Sequence, residues 1–226
     1  MRKLYFLITL VFIITGSNGP GGRINPETGI MELNSGEIRL KEIYSAAGVV
    51  VGPYCTLTVE GDVNAGAMFI CRGGTVRITG RLKAEVVYFD SADAELRAEI
   101  GEISAKYFTQ CGGTVRVKGY IYTRSRGGDD GGGLININGA YSEHGAARLT
   151  AGGIFARRGD IRTGALPPGD EASTANFFNA RGITLDSYDF PSSAGNTHIR
   201  TGKGIAAMGG GTVYCDYPVW IKNIKI

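Results

Sequence analysis

Apolar and polar residues alternate along much of the chain in short runs. Leu57-Thr58-Val59, Val76-Arg77-Ile78 and Val115-Arg116-Val117 each put two apolar side chains on one face and a polar one on the other. A period of two predicts strands with one buried face. A glycine follows each run, and these glycines recur. Gly36, Gly61, Gly80, Gly101, Gly119, Gly139 and Gly159 stand 18 to 25 residues apart. Two residues beyond them come Ile38, Val63, Leu82, Ile103, Ile121, Tyr141 and Ile161, and small residues follow at Ala65, Ala84 and Ala105. Ile135 and Ile137 extend the same inward row before Gly139. The strand Leu96–Ile100 is displaced by one position against Gly101. A stretch beginning at Cys71 and ending at Gly80 returns almost unchanged from Cys111 to Gly119, which makes Cys71 and Cys111 equivalent positions.

A period of about 20 residues with one inward apolar row marks a solenoid. The expected fold is therefore all-β: a single-domain parallel β-helix with about 20 residues per turn and about nine turns, right-handed by the default of parallel crossovers. The recurring glycines are expected to form its corners by adopting positive φ. Longer loops are expected at Arg124–Gly133, Thr163–Ala180 and Asp189–Asn196, and loops on one face of a solenoid can carry binding. The alternating end, Tyr217–Ile226, holds the single tryptophan, Trp220, and is expected to close the last edge.

The N-terminus departs from this pattern. Arg2 and Lys3 precede 12 apolar residues, Leu4 to Thr15, and small residues follow at Gly16, Ser17 and Gly19. That order is the order of a secretory signal peptide, and 12 residues are too few to cross a bilayer as a helix. The organisation predicted is a signal peptide over 1–19, a linker or N-terminal cap over 20–34, and a β-helix domain over 35–226. Glycine is 36 of 226 residues, about double the usual share. The formal net charge is +3 and falls to +1 without Arg2 and Lys3. No clustered basic face is visible, which argues against nucleic acid as a partner.

Leu57-Thr58-Val59-Glu60-Gly61-Asp62-Val63-Asn64-Ala65 resembles a turn of the bactofilins, bacterial polymer-forming β-solenoids, and Val117-Lys118-Gly119-Tyr120-Ile121 has the same cadence. Ala151-Gly152-Gly153-Ile154-Phe155-Ala156 and Gly159-Asp160-Ile161 are similar to filamentous-haemagglutinin-type repeats of surface-adhesin solenoids. These likenesses cover Val49 to Ile161. Bactofilins are cytoplasmic, whereas this chain begins with a leader, so the resemblance implies the surface-exposed relatives. The implied role is a secreted, periplasmic or cell-surface structural or adhesive solenoid without enzymatic activity. Its expected partners are a cell-surface glycan or protein, or other copies met through the solenoid ends. The alternative is a carbohydrate-binding or carbohydrate-cleaving β-helix.

Cleavage of a glycosidic bond commonly uses two carboxyl groups. Asp129, Asp130, Glu143 and His144 are the one cluster of that kind, similar to the Asp-Asp and Gly-His-Gly motifs of polygalacturonase-like β-helices. The upstream Asn-Thr-Asp of that family is missing, and Glu143 stands where its first Gly should be. A solvated Gly-rich loop explains the same residues. His144 and His198 lie 54 residues apart without metal-ligand spacing, so no metal or other cofactor is expected. Arg158-Gly159-Asp160 matches an integrin-type tripeptide, which the recurring corner also explains.

Four cysteines in an exported chain suggest disulfides. Cys55 and Cys71, 16 residues apart, can lie on adjacent turns about 4.8 Å apart, within bridging reach. Cys111 lies two turns past Cys71, and Cys215 about five turns past Cys111 at the period of about 20 residues, so both are expected unpaired. The Cys55–Cys71 bridge is thus the single disulfide candidate, against the alternative that all four are thiols packed as small hydrophobes.

Overall fold

The computed structural model describes residues 21–91, 94–124, 134–137, 147–157, 161–163, 197–201, 205–208, 213–215 and 219–221. Among these residues there are 18 strands and no helix, all in one sheet wound into a β-solenoid. A coil consists of a short strand and a long one. β6 (Met68–Cys71) leads to β7 (Gly74–Lys83), β8 (Val86–Phe89) to β9 (Leu96–Ala105), and β10 (Tyr107–Gln110) to β11 (Thr114–Arg124). Earlier coils are β2 (Met31–Leu40) with β3 (Ile43–Tyr44), and β4 (Val49–Val59) with β5 (Val63–Asn64). Coil pairs with coil in parallel throughout. The regular stack makes about five turns of about 19 residues, fewer than the nine expected.

Beyond it the ladders continue through more widely spaced strands. These are β12 (Leu134–Ile137), β13 (Ala147–Arg157), β14 (Ile161–Thr163), β15 (Thr197–Thr201), β16 (Ile205–Met208), β17 (Val213–Cys215) and β18 (Val219–Ile221). β18, with Trp220, adds a parallel rung to β15. At the other end β1 (Gly22–Ile24) lies antiparallel on Met31–Leu33 of β2. Strand pairing therefore begins inside the segment expected to be a linker or N-terminal cap, and the anticipated boundary at residue 35 falls within β2. Arg23 Nε donates to Glu32 Oε2 at 2.6 Å and Asn25 Nδ2 to Oε1 at 3.2 Å, so the flap is pinned by a carboxylate. The Arg23 and Asn25 hydrogen bonds hold the Glu32 pKa below its ordinary value. Any stability this pinning lends is present above the ordinary carboxylate range and lost as pH falls through the lowered value.

The inward rows follow from the alternation. Leu57, Val76, Ala98, Val115 and Leu149 stack in register, as do Val59, Ile78, Ile100, Val117 and Ala151. A third row runs Ile43, Val63, Leu82, Ile103, Ile121, Ile154. All of these side chains are buried. The expected one-residue offset at Leu96–Ile100 is present. It is absorbed as a register shift between Ile78 and Arg81, where the long strand turns its corner, as a bulge does.

Three expectations about register are overturned. Ile38 pairs with Leu57 and belongs to the first row, so Ile43 supplies the third row in that coil. Ile135 and Ile137 pair with Phe108 and Gln110 of the short strand; Leu149 and Ala151 continue the long-strand rows. The glycine equivalent to Gly119 is Gly152, not Gly139, which lies outside the described residues. An Ile-x-Ile run satisfies either face of the coil, so hydrophobic period alone cannot assign it.

The corner glycines also serve a different purpose from the one anticipated. Among the recurring glycines Gly36 takes positive φ (83°) as expected, whereas Gly61, Gly80, Gly101 and Gly119 do not. They form a column in which each is pressed against the backbone of the coil before. A Cβ on Gly152 would come 2.6 Å from the Gly119 carbonyl oxygen, and one on Gly119 3.0 Å from that of Gly101. Left-handed backbone is needed instead at Gly74 (φ 78°) and Gly113 (φ 73°), where the chain turns into the long strand.

Alternation predicts nothing about the short strands, because both of their faces are buried. Phe69, Cys71, Val87, Phe89 and Phe108 point into the coil, and Phe89 contacts Phe69 and Phe108 at centroid separations of 6.1 Å in tilted geometry. Met68, Ile70, Val86 and Tyr88 face the other way and form a second buried cluster with Ile30 and Cys111. Continuous apolar runs such as Met68–Cys71 and Val86–Phe89 are the signature of strands buried on both faces.

Candidate functional site

The long strand presents its second half, after the glycine corner, to the outside. Here the outward positions of successive coils are Asn64, Lys83, Ser104, Tyr122 and Phe155, each in register with the next. A parallel outward row holds Arg81 opposite Glu102, then Tyr120 opposite Gly153. Between these rows and the following corner lies a groove of about 530 Å³, whose walls include Asn64, Lys83, Glu85, Ser104, Lys106 and Tyr122. It runs along the solenoid axis and crosses four coils. Ser104 is short and lies between the longer Lys83 and Tyr122, which makes the floor concave there, and Asn64 lies beyond Lys83 at the far end.

Its electrostatics are mixed. Arg81 Nε lies 3.2 Å from Glu102 Oε1, so this pair neutralises itself at one side of the groove. Asp62 Oδ1 accepts from the Arg81 backbone N–H at 2.7 Å and fixes the corner there. Lys106 Nζ sits 5.2 Å from the centre of the Tyr107 ring, a cation–π contact at the rim. Past Tyr122 the Tyr120 and Phe155 rings pack at 5.5 Å and 51°. They occupy the space a Cβ on Gly153 would need, 2.8 Å from Phe155 Cε2 and 3.0 Å from Tyr120 Cδ1. Such a surface offers apolar ring faces, cations and hydrogen-bonding side chains along one line. That combination suits binding of an extended polar ligand.

The first half of the long strand carries a flatter charged face. Thr58, Arg77, Glu99 and Arg116 stand in register, and Arg77 Nη2 meets Glu99 Oε2 at 3.3 Å across one coil step. Both members are solvated, so the pair contributes about 0–1 kcal/mol and serves mainly to match neighbouring coils.

Asp129, Asp130, Glu143 and His144 lie outside the described residues, as does Arg158-Gly159-Asp160. His198 falls on β15 in register with Arg148. Among the described residues no group of His, Cys, Asp and Glu could hold a metal ion. Also among them, no helix is long and apolar enough to cross a membrane.

Cys55, Cys71 and Cys111 are buried free thiols, and the Cys55–Cys71 bridge anticipated from spacing is not formed here. Register explains it. Cys71 stacks between Val51 and Phe89, whereas Cys55 abuts Gly74, whose absent Cβ would lie 2.5 Å from the Cys55 carbonyl oxygen. The two cysteines occupy adjacent coils but opposite sides of a corner. The supposed equivalence of Cys71 and Cys111 fails by one residue: Cys71 aligns with Phe89 and Gln110, and Cys111 falls one place further on, in the outer cluster. Cys215 aligns with Thr163, Ile137 and Gln110, three coil steps beyond Gln110 and not five beyond Cys111.

Burial pushes the Cys55 thiol up to about 11 and that of Cys71 to about 12, and Cys111 also lies well above the ordinary value near 9. None of the three should react with a thiol reagent at pH 8 in the folded protein, while all should react in denaturant. Labelling followed by mass spectrometry checks this, and native labelling of Cys71 would contradict its position in the core. The linkage has a sign. A proton held more tightly by the folded state stabilises it below the unfolded value near 9, and that contribution is lost as pH rises toward about 11 and about 12. Urea midpoints should therefore decline above pH 9, with a shallower decline in Cys71→Ala.

Compared with known proteins, the chain matches no family model, no curated protein and no solved structure.

Proposed function

We propose that this chain is an exported structural or adhesive β-solenoid that works without catalysis, holding an extended ligand on its outer surface. The observation that carries the reading is the axial groove, in which each coil contributes one outward residue to a single line. A solenoid is quasi-one-dimensional, so its surface repeats at the coil spacing of about 4.8 Å and suits ligands that are themselves repetitive. Export is supported by the leader-like order of Arg2, Lys3 and the apolar run Leu4–Thr15. The adhesive role is supported further by the likeness of residues 151–161 to surface-adhesin repeats.

The test pairs binding with turnover. Purified mature protein is applied to intact bacterial and animal cells and to a glycan array, and the same glycans are assayed for newly released reducing ends. The expected result is retention on a surface or glycan without release. Release of reducing ends that disappears in Asp130→Asn would replace this reading with the carbohydrate-cleaving one. Absence of binding to any cell or glycan would remove the adhesive role.

A further inference from the structure

We propose that the groove crossing β5, β7, β9 and β11 binds an extended polysaccharide carrying widely spaced carboxylate groups. This rests on the adhesive reading and adds to it the class of ligand and the residues that select it. Shape comes first. Asn64, Lys83, Ser104 and Tyr122 lie on four successive coils, so the line spans about 14 Å at about 4.8 Å per step. A sugar unit in an extended chain advances by nearly one coil, and a volume of about 530 Å³ accommodates a few rings.

Surface chemistry comes second. Sugar rings present apolar C–H faces and equatorial hydroxyls. Tyr122 lines one end of the groove, and beyond it Tyr120 of the same strand packs against Phe155 of the next coil. Aromatic side chains combine a large apolar face with a polar edge, which suits stacking against a pyranose. Ser104 supplies a hydrogen-bonding group between Lys83 and Tyr122, and Asn64 supplies one at the opposite end.

Charge comes third and separates acidic from neutral chains. Three cations, Arg81, Lys83 and Lys106, share the groove with two carboxylates, Glu85 and Glu102. Arg81 is matched to Glu102, and Lys106 is anchored over Tyr107. Lys83 is exposed and has no ion-pair partner among the described residues. A single carboxylate seated on Lys83 would gain a charge-assisted hydrogen bond. A densely charged polymer would find no second surplus cation, because the two carboxylates offset two of the three cations. The surplus of one positive charge therefore fits a uronate-containing chain interrupted by neutral sugars better than a fully sulfated one or a nucleic acid.

The experiment is titration calorimetry of the full mature protein with three oligosaccharides of equal length: one alternating uronate and neutral units, one wholly neutral, and one heavily sulfated. The alternating oligomer should bind most tightly, and its affinity should fall as salt is raised. Lys83→Glu should weaken it about tenfold or more, the loss of one charge-assisted contact with a repulsion in its place. Tyr122→Ala should weaken all three chains about threefold to tenfold through lost stacking. Both side chains face outward, so melting temperatures should remain near wild type, which separates lost binding from lost fold. Equal affinity for the neutral chain, preference for the sulfated one, no binding by any, or indifference to Lys83→Glu would each overturn the inference. If Lys83→Glu still adheres to cells as wild type does, the groove assignment falls and the adhesive role stands on other surfaces.

Discussion

Ile78→Asp is expected to abolish folding, while Arg77→Ala, one residue away, is expected to change stability by no more than about 0.5 kcal/mol. Ile78 is 1% exposed and sits in register between Val59 and Ile100. Replacing it removes a buried aliphatic side chain, worth about 2–5 kcal/mol on truncation, and adds a carboxylate with no partner in an apolar row. A domain stable by about 5–15 kcal/mol does not survive both. The Arg77 side chain is 62% exposed, and its contact with Glu99 is a solvated ion pair. Far-UV circular dichroism and urea unfolding of the two variants decide the matter. Val117→Asp should repeat the Ile78 result, because Val117 occupies the same row two coils later. Comparable losses at Arg77 and Ile78 would mean that the two faces of β7 are misassigned.

The second large effect is expected at the glycine column, and it distinguishes two members of it. In Gly101→Ala the new methyl group would overlap the backbone carbonyl oxygens of both Thr79 and Gly80. Neither can move without opening the step between coils and lengthening its hydrogen bonds. The loss should be about 3 kcal/mol or more, at the upper end of overpacking. In Gly119→Ala the nearest backbone atom is the Gly101 carbonyl oxygen at 3.0 Å, followed only by Glu102 Cβ at 3.8 Å and Cγ at 4.0 Å. A small adjustment suffices there, and the reduced freedom of the unfolded chain offsets part of the cost. Gly119→Ala should therefore change stability by less than about 1 kcal/mol. Chemical denaturation of both variants measures the difference. Equal effects would show that the column tolerates a methyl group and that its glycines are there for another reason.

How far the sequence reaches depends on which face of a strand carries the constraint. The inward rows through Val76, Ile78, Leu82, Val115, Val117 and Ile121 were legible, since each misplaced side chain would enter water and period two leaves one solution. Ala65, Ala84 and Ala105 were legible for the same reason, as a small residue at a tight corner. The limits appear where two positions obey the same rule. Ile135 and Ile137 fit the short-strand face as well as the long one, and only pairing with Phe108 and Gln110 distinguishes them. Cys71 and Cys111 precede near-identical strands, but Arg72 is an extra residue in the first copy, which moves Cys71 inward and Cys111 outward. The column of Gly80, Gly101 and Gly119 was visible as a spacing, yet its cause, contact between successive backbones, lies in how the coils stack.

The groove was not legible at all. Lys83, Ser104 and Tyr122 lie 18 to 21 residues apart and share no chemical type, and outward positions are free of the packing constraint that makes inward ones periodic. Once the inward row is aligned with its bulges, however, these residues fall into one line by counting. Applying the register shift at Ile78–Arg81 to the outward positions would have revealed it.

Stacking of each coil only on its neighbours has a mechanical consequence. A chain pulled from its two ends would not give way at once, because force applied at a terminus loads the last rung alone. The coils should peel off in sequence. Each of the regular ones holds about 19 residues, or about 60–70 Å of extended chain, so a single-molecule pulling trace should show a sawtooth with that contour increment. The interval from Gly119 to Gly152 holds more chain than a regular coil and should release a longer one.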